Sequence, residues 1–352
     1  MRILERPLSS RRKNAPENDA AAPCRTAEMT SAPGGAAKSL KVLIGMGLLS
    51  ILLNLPAPSP CLSASSAAKS EKTFEVNAGS FKIVDDAGRT ILLSQSARRI
   101  IPLYGAFSEM LFSIGAGDSV IARTQADKFP PELARLPSVG THMRPDIEII
   151  LGLKPDLVIV SASRKDDSPV LARLSERGIP IAVFNPRSFD DICSVINRLG
   201  VLCGREKEAL AATDGLMQRL AAVRAKIKDE KVQKMVFFEI RAEPLTGAGA
   251  SSIVSEIIRA AGGENILQND KAIVRYSLEN LLSQEPDYYL VQSGPMNKSP
   301  SVPGKRAHFD RLKSVREGRV LFVDELIFSR PGPRCVEAVE LLAAALYPEK
   351  FK

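Results

Sequence analysis

Side chains that bind metal ions directly are scarce in this sequence. His142 and His308 are the two histidines among 352 residues, and the five cysteines show none of the paired spacings that hold zinc. Because a bare zinc or manganese ion needs several histidines and carboxylates around it, the composition argues against a site for such an ion. The sequence also has no nucleophile elbow and no phosphate-binding loop, so we expect no enzymatic activity.

Two long irregular segments, 122–145 and 294–309, carry basic side chains instead. Loops of this length carry function more often than cores do. Arginine guanidinium groups bind carboxylate, phosphate and catecholate oxygens, so a site where several arginines converge favours an anionic ligand.

Two glutamates hold equivalent places in a repeated stretch. Glu148 lies in DIEIILGLKPDLVIV (146–160) and Glu279 lies in SLENLLSQEPDYYLV (277–291). Each glutamate is followed three positions later by leucine, and then by Pro-Asp and a closing valine. We interpret the match as one α/β unit used twice, which predicts two lobes.

A second repeated pair lies upstream of the first. The stretches that open with Ser108-Glu109 and Ser255-Glu256 both reach a glycine seven positions after the serine. We predict that both glutamates lie in the first turn of a helix, near the positive end of its dipole. A short strand is predicted over 119–122, after the first of these helices.

The elements around these motifs alternate between strands and helices. A hairpin is predicted over 74–93, and strand-like apolar runs then alternate with amphipathic helices. This alternation predicts an α/β fold of two three-layer lobes with mainly parallel sheets. A helix from 206 to about 229 separates the two halves and would reach about 36 Å at 1.5 Å per residue. We therefore place an N-terminal lobe at 74–204, a bridging helix at 205–230 and a C-terminal lobe at 231–352.

Residues 1–68 are predicted to form an extension that ends in an export signal. Lys38 and Lys41 precede an apolar run over 42–55, and 56–68 is rich in small residues. The run is too short to span a bilayer comfortably, which favours a cleaved signal over an uncleaved anchor and predicts a periplasmic product. Translation could begin at Met29, and Cys61 leaves a lipid anchor open. Cleavage could follow any of four small residues, Ala64, Ser66, Ala67 or Ala68.

Positive charge is concentrated near the N-terminus. Residues 1–70 carry nine Lys/Arg and four Asp/Glu, which leaves about +3 of the net charge of +8 for the rest of the chain. This balance argues against a nucleic-acid partner.

Three cysteines follow the signal. Cys193 and Cys203 are compatible with a disulfide in an oxidising compartment. Because Cys335 makes the number odd, buried thiols are the favoured interpretation.

Taken in order, these stretches resemble the periplasmic substrate-binding proteins of ABC importers for ferric siderophores, haem and cobalamin. The matching stretches are RRIIPLYGAFSEMLFSIGAGDSVI, PDIEIILGLKPDLVIV, GIPIAVF, GASSIVSEIIRAAGGENI, SLENLLSQEPDYYLV and FSRPGPRCVEAVELLAAAL. The resemblance covers the chain from about 74 to 347. It implies the class III architecture of these proteins, in which one rigid helix joins two α/β lobes and the ligand lies between them with little closure.

The resemblance also implies a role for the repeated glutamates. In this family such glutamates lie on the outer tips of the lobes and pair with arginines of the membrane permease, and the matching residues are Glu148 and Glu279. One exposed carboxylate per lobe would orient docking through charge complementarity. The alternative is an ordinary solvated helix face, where glutamate is common.

Ligand-binding side chains are expected on the loops that face the cleft at the ends of the strands. The candidates in the first lobe are Tyr104, Arg123, His142 and Arg144. Those in the second lobe are Arg241, Arg275, Tyr276, Gln292, Met296, His308 and Arg330. Of these, His142 could serve as an axial ligand to haem iron or corrinoid cobalt, or as a hydrogen-bond donor.

We therefore predict a monomeric extracytoplasmic solute-binding protein without a resident cofactor. It would capture a chelated iron complex, in the first place a ferric siderophore, and deliver it to an ABC permease in the inner membrane. A cobalamin, corrinoid or haem carrier of the same family is the alternative ligand class, although the absence of tryptophan makes cobalamin less expected. A chelatase-like enzyme on a similar two-lobed fold is the alternative of another class, and the export signal argues against it.

Overall fold

The computed structural model describes residues 81–162 and 169–352, which belong to one compact unit. The extension 1–68 and the first part of the hairpin predicted over 74–93 lie outside the described residues. Within the described ranges, no helix combines the length and the apolar character that crossing a membrane requires.

Strands and helices alternate along the chain from the hairpin to the last helix. The strands are β1 (Phe81–Val84), β2 (Thr90–Leu93), β3 (Ile100–Pro102), β4 (Leu157–Ser161), β5 (Ile181–Phe184), β6 (Lys234–Arg241), β7 (Thr246–Ala248), β8 (Gly263–Asn265), β9 (Ile273–Arg275), β10 (Tyr288–Ser293) and β11 (Val320–Asp324). The α-helices are α1 (Gly105–Ser113), α2 (Ile147–Gly152), α3 (Pro169–Glu176), α4 (Phe189–Cys203), α5 (Glu206–Ile227), α6 (Ile253–Ala260), α7 (Leu278–Gln284), α8 (Lys313–Arg316), α9 (Glu325–Phe328) and α10 (Cys335–Leu346).

The first lobe is built on the parallel sheet β3-β4-β5. Its strands are almost entirely buried, as expected for a parallel sheet that is covered on both faces. The turn of the β1-β2 hairpin covers the edge of β5. There Asp85 accepts a hydrogen bond from the Val183 amide at 3.0 Å, and Asp86 accepts one from the Asn185 amide at 2.6 Å. The edge strand is thereby protected from pairing with other chains.

The second lobe has a larger sheet with the order β11-β10-β6-β7-β9. Strands β6, β10 and β11 run parallel, β8 adds a parallel pairing to β6, and β7 and β9 pair antiparallel. The predicted α/β fold of two lobes with mainly parallel sheets is confirmed.

Helix α5 bridges the two lobes. Its 22 residues reach about 33 Å at 1.5 Å per residue. It packs against α4 and α10, and Arg219 of α5 pairs with Glu340 of α10 at 2.6 Å. One continuous apolar core includes Phe107 of the first lobe, Leu216 of α5 and Phe238 of the second lobe. Because the lobes share this core, the boundaries placed at 74–204, 205–230 and 231–352 stay a prediction.

The two copies of the repeat form the same substructure, a short capped helix followed by a strand. In the first copy the Asp146 carboxylate accepts hydrogen bonds from the amides of Glu148 and Ile149 at 3.0 and 3.2 Å. In the second copy the Ser277 hydroxyl accepts one from the Asn280 amide at 3.1 Å. Each side chain satisfies amides that the first helical turn leaves without a partner.

Two local predictions are wrong. A 3₁₀ turn over Gly117–Ser119 tightens the chain where a strand was expected over 119–122, and Val120 pairs with Ile100 only as an isolated bridge. Glu109 lies in the second turn of α1, because this helix begins earlier than the Ser-Glu motif suggests, and its side chain is buried.

The three described cysteines are free thiols. Cys193 and Cys203 lie ten residues apart in α4, about 15 Å along the helix axis. Their separation exceeds the Cα distance of about 7 Å that a disulfide can bridge. Burial raises the pKa of Cys193 to about 11 and that of Cys203 to about 12, which makes both thiols unreactive.

Candidate functional site

Side chains of both lobes meet where the parallel strands end. Tyr104 follows β3, Gln292 lies near the end of β10, and Glu325 follows β11. In open α/β sheets, ligands bind in the crevice beyond the carboxyl ends of the strands. We call Tyr104, His142, Gln292, Glu325 and Arg330 the cleft cluster.

Tyr104 forms the first-lobe side of the cleft cluster. Its ring centroid lies 5.9 Å from that of His142 and 5.8 Å from that of Phe107. Burial raises the pKa of the Tyr104 phenol to about 12, and the nearby Arg330 opposes this rise. The phenol is therefore protonated at neutral pH and can donate a hydrogen bond.

Arg330 reaches from the second lobe into the first. It is 9% exposed, and its Nη2 donates to the Ala126 carbonyl oxygen at 3.1 Å. Its Nη1 lies 3.8 Å from Oδ1 of Asp127. A Cβ atom at residue 105 would overlap the guanidinium group, so the absence of a side chain at Gly105 allows Arg330 to approach the start of α1 this closely.

Gln292 and Glu325 form the second-lobe side. Gln292 is fully buried, and its Oε1 accepts a hydrogen bond from the Ser329 hydroxyl at 2.5 Å. Glu325 accepts one from the Met296 amide at 2.7 Å, and burial raises the pKa of its carboxyl group. Asn297 donates to the Gln292 carbonyl oxygen at 2.9 Å. These bonds hold the start of the irregular segment 294–309 against the sheet.

A buried carboxylate, Glu109, lies behind the cleft cluster. Burial raises its pKa to about 7, although Arg334 and Arg330 act in the opposite direction. Asp127 is also buried, and burial raises the pKa of its carboxyl group as well. The junction between the lobes therefore concentrates arginines and carboxylates in a region with little water.

The other candidates of the first lobe make hydrogen bonds within their own loops. Arg123 is half-buried and donates from Nη1 to the Thr124 carbonyl oxygen at 3.1 Å, within its own loop. Arg144 is exposed, and its amide donates to the Thr141 hydroxyl at 3.0 Å in a local turn. Ligand contacts of both arginines stay predictions.

Two arginines of the second lobe share one row of its sheet. Arg241 ends β6, Arg275 ends β9, and both pair with Thr246 of the intervening strand β7. Both arginines are exposed. Neighbouring strands lie about 4.8 Å apart, so the two backbone positions are separated by roughly 10 Å.

The remaining candidates of the second lobe border the irregular segment or the sheet. His308 is exposed and has a φ of 68°, in the left-handed region that favours glycine and asparagine. Met296 is exposed, and the Tyr276 ring lies 6.0 Å from the Phe237 ring. The structure brings Tyr104, His142, Gln292 and Arg330 together, and it leaves Arg144, Arg241, Arg275 and His308 on exposed surfaces.

The sequence analysis missed a buried carboxylate that holds Arg306, an arginine of the irregular segment 294–309. Glu239 interrupts the apolar strand KMVFFEI and is fully buried. It accepts hydrogen bonds from Tyr289 and Arg306, including one from Nη2 of Arg306 at 2.9 Å. A carboxylate inside an apolar strand requires a partner, and this signal could have identified the contact that ties segment 294–309 to the sheet.

The repeated glutamates are exposed first-turn residues of α2 and α7. Glu148 pairs with Nη2 of Arg173 at 2.8 Å. Their role in docking stays a prediction.

The chain is similar to a known protein family and to several known proteins and structures. Residues 100–325 match the family model described as periplasmic binding protein. A Bacillus subtilis protein named an uncharacterized ABC transporter substrate-binding lipoprotein is 27% identical over 275 residues, which cover 76% of this chain and 86% of that protein. A vitamin B12-binding protein of Pectobacterium carotovorum is 26% identical over 251 residues, which cover 71% of this chain and 88% of that protein. The structure of the apo periplasmic heme-binding protein RhuT from Roseiflexus sp. RS-1 is similar with a TM-score of 0.64 and 26% identity, and it covers 72% of this chain and 100% of that chain.

Proposed function

This chain belongs to the periplasmic binding protein family, and from that premise we propose that it captures a chelated iron complex, in the first place a ferric siderophore, between its lobes. Its relatives include substrate-binding proteins of ABC transporters, so it is an ABC-type substrate-binding protein with a small ligand and a permease partner. The proposed role is binding and delivery, not catalysis, and it is performed by a monomer.

The row of Arg241 and Arg275 carries this choice of cargo. Both exposed guanidinium groups belong to the same cross-strand row, and Arg241 lies at the carboxyl end of its strand. Positions roughly 10 Å apart suit an anionic chelate that presents oxygen atoms on two sides. Arginine is also the side chain that binds such oxygens with defined geometry.

The Tyr104–His142 pair supports a second candidate, haem or a corrinoid. Imidazole and phenolate groups are both known axial ligands of haem iron. The two rings are neighbours at the cleft, with centroids 5.9 Å apart. Burial raises the pKa of Tyr104 to about 12, so its phenol gives up the proton less readily to become a ligand. His142 is therefore the favoured axial ligand of the two.

A thermal-shift screen tests the cargo. The purified protein is heated with ferric hydroxamates, ferric catecholates, haem, cobalamin and cobinamide, and a dye reports unfolding because the chain has no tryptophan. A ligand that binds only the folded state raises the melting temperature by mass action. We expect a saturable rise with a ferric siderophore, whereas a rise with haem or corrinoids alone transfers the proposal to the second candidate.

Matched variants assign the contacts. The double variant Arg241→Gln, Arg275→Gln should bind a ferric siderophore with an affinity about tenfold or more below that of the parent. Charge-assisted hydrogen bonds contribute about 1.5–3 kcal/mol each. Arg224→Gln, which changes an exposed arginine of α5, is the control. For haem, His142→Ala should shift the Soret absorption of the bound complex.

We further propose that Glu148 and Glu279 dock the protein on its permease. One exposed carboxylate in each lobe can pair with a basic group on each half of a two-fold permease, which fixes the orientation of docking.

The Bacillus subtilis relative is named a lipoprotein, and a signal at 38–68 with Cys61 would allow the same anchoring here. The mass of the exported protein distinguishes simple cleavage from lipid attachment.

A further inference from the structure

The lobes are in contact at two places. Helix α5 and the shared core join them on one side. On the side of the cleft, the short turn 330–334 of the second lobe lies against α1 and segment 124–129 of the first lobe. A second attachment, away from α5, further restricts the bending and twisting of one lobe against the other.

Charged and aromatic contacts hold this turn. At its start, Arg330 donates to the Ala126 carbonyl oxygen at 3.1 Å and lies 3.8 Å from Asp127. At its end, the Arg334 guanidinium carbon lies 4.3 Å from the centroid of the Phe129 ring. The negative face of an aromatic ring attracts a guanidinium group in this position.

The first lobe prepares the partner of Arg330. Oδ2 of Asp127 accepts hydrogen bonds from the Thr124 amide at 3.0 Å and from the Ser108 hydroxyl at 3.4 Å. Oδ1 of Asp127 has no hydrogen bond among the described residues and faces Arg330. The carboxylate is thus fixed by its own lobe and presents its remaining oxygen to the other one.

The middle of the turn fits closely onto α1. A Cβ atom at Gly332 would lie 3.5 Å from Cα of Ala106 and 3.6 Å from Oε2 of Glu109. These are ordinary van der Waals distances, so the turn lies about one methyl group away from the helix. Tyr104, the residue that begins this helix, belongs to the cleft cluster.

We propose that turn 330–334 is a clasp that fixes the spacing of the lobes, and that Arg330 positions the Tyr104 side of the cleft instead of contacting ligand. This inference deepens the proposed function, because a clasp keeps the cleft in its binding-competent form before the ligand arrives. If the competent form is only a fraction of the population, the apparent affinity falls by that fraction. Loosening the clasp should therefore lower the apparent affinity for every ligand of the cleft by the same factor.

Hydrogen exchange of the ligand-free protein tests the clasp independently of the cargo. We compare Arg330→Gln, Arg334→Gln and the double variant with the parent. The control is Arg219→Gln, which breaks the ion pair between α5 and α10 but leaves the turn intact. In the double variant, the backbone amides of 124–129 and of α1 should exchange their hydrogens at least tenfold faster than in the parent. In the control, their exchange rates should be unchanged. Unchanged exchange in a folded double variant overturns the proposal.

Two further variants keep the test decisive. Phe129→Ala removes only the aromatic contact, so it replaces the double variant if that variant does not fold. In Phe129→Ala, the same amides should exchange severalfold faster than in the parent. Arg330→Lys retains the charge and should restore part of the protection lost in Arg330→Gln. A general loss of packing would not depend on charge in this way.

Ligand binding then separates the clasp from the proposed function. If the parent binds none of the screened chelates, the proposed cargo fails while the exchange result still decides the clasp. If a chelate binds, Arg330→Gln should lower its affinity and Arg330→Lys should recover part of it. An Arg330→Gln variant with unaltered affinity contradicts the positioning role.

Discussion

The two copies of the repeat share a scaffold and differ in how they use their acidic side chains. In both copies the aspartate of the Pro-Asp pair joins the end of the helix to the start of a neighbouring strand. Asp156 accepts hydrogen bonds from the amides of Arg98 and Arg99 at 2.8 and 3.0 Å. Asp287 accepts one from the Met235 amide at 3.0 Å and pairs with Lys313 at 2.8 Å.

The glutamates behave differently. Glu109 is buried at the lobe junction, whereas its counterpart Glu256 lies in the first turn of α6 and pairs with Arg259 at 2.6 Å. Of the repeated glutamates Glu148 and Glu279, Glu148 pairs with Arg173. The comparison shows that a repeated sequence predicts a repeated scaffold, while the surroundings of each copy decide what its charges do.

Removing the shared aspartate should have the largest effect. Asp156→Ala leaves two backbone amides without a charged acceptor. We therefore expect a loss of about 3–6 kcal/mol in the free energy of unfolding, at about 1.5–3 kcal/mol for each charged hydrogen bond. Asp287→Ala should cost less, because it leaves one amide. Urea denaturation measures both, and equal small losses would contradict the scaffold role.

Glu109 should make the stability of the protein depend on pH. The folded-state pKa of Glu109 is raised from 4.5 to about 7. The folded protein therefore holds a proton that the unfolded chain releases, and this stabilisation is present below about pH 4.5 and lost as the pH rises through about 7.

Glu109→Gln keeps a neutral side chain and should remove this loss. The variant should be more stable than the parent at pH 8 by about 1–3 kcal/mol, from about 1.36 kcal/mol per pKa unit, and close to it at pH 4.5. The charged groups around Glu109 are Arg334, Arg330, Asp127 and Asp324. Parallel stability curves for parent and variant between pH 4.5 and 8 would contradict the prediction.

The repeated glutamates Glu148 and Glu279 should contribute unequally to docking. Glu279→Gln should weaken binding to the permease complex by about tenfold, since a close charge pair across an interface contributes about 1.5 kcal/mol or more. Glu148→Gln should weaken it less, because Glu148 must first exchange Arg173 for a basic group of the permease. Stimulation of ATP hydrolysis in reconstituted vesicles, titrated with each variant, measures the difference.

The smallest expected effect is a gain. Arg173→Gln frees Glu148, and exposed ion pairs contribute only about 0–1 kcal/mol, so docking should strengthen by about two- to fivefold at low salt. Arg205→Gln, which breaks an exposed pair with Glu208 on α5, is the control. Weaker docking of Arg173→Gln would show that Arg173 supports Glu148 instead of competing for it.

Local patterns predict the scaffold well because they act within a few residues. The Pro-Asp repeat, the helix caps and the long α5 can all be read from spacing and residue type. The lobe junction could not be predicted in the same way. Glu109, Asp127 and Arg334 acquire their roles only when α1, segment 124–129 and turn 330–334 meet, and no local pattern places these segments together.

The same limit applies to the ligand site. Tyr104 and His142 are neighbours across a loop, and Arg241 and Arg275 share a row through Thr246. These pairs could not be selected from the larger group of arginines and aromatics, because sheet order and register bring them together. The partner of Glu239 is the exception, because its need could be predicted from the sequence. A lone carboxylate in a buried strand requires a basic partner.

Calorimetric titration tests the central claim most directly. The purified protein is titrated with the ferric siderophore that gives the largest thermal shift, beside the Arg241→Gln, Arg275→Gln double variant. We predict saturable binding of one chelate per chain and a loss of affinity of about tenfold or more in the double variant. Absence of binding heat with every ferric siderophore, or equal affinity of parent and double variant, would contradict the account.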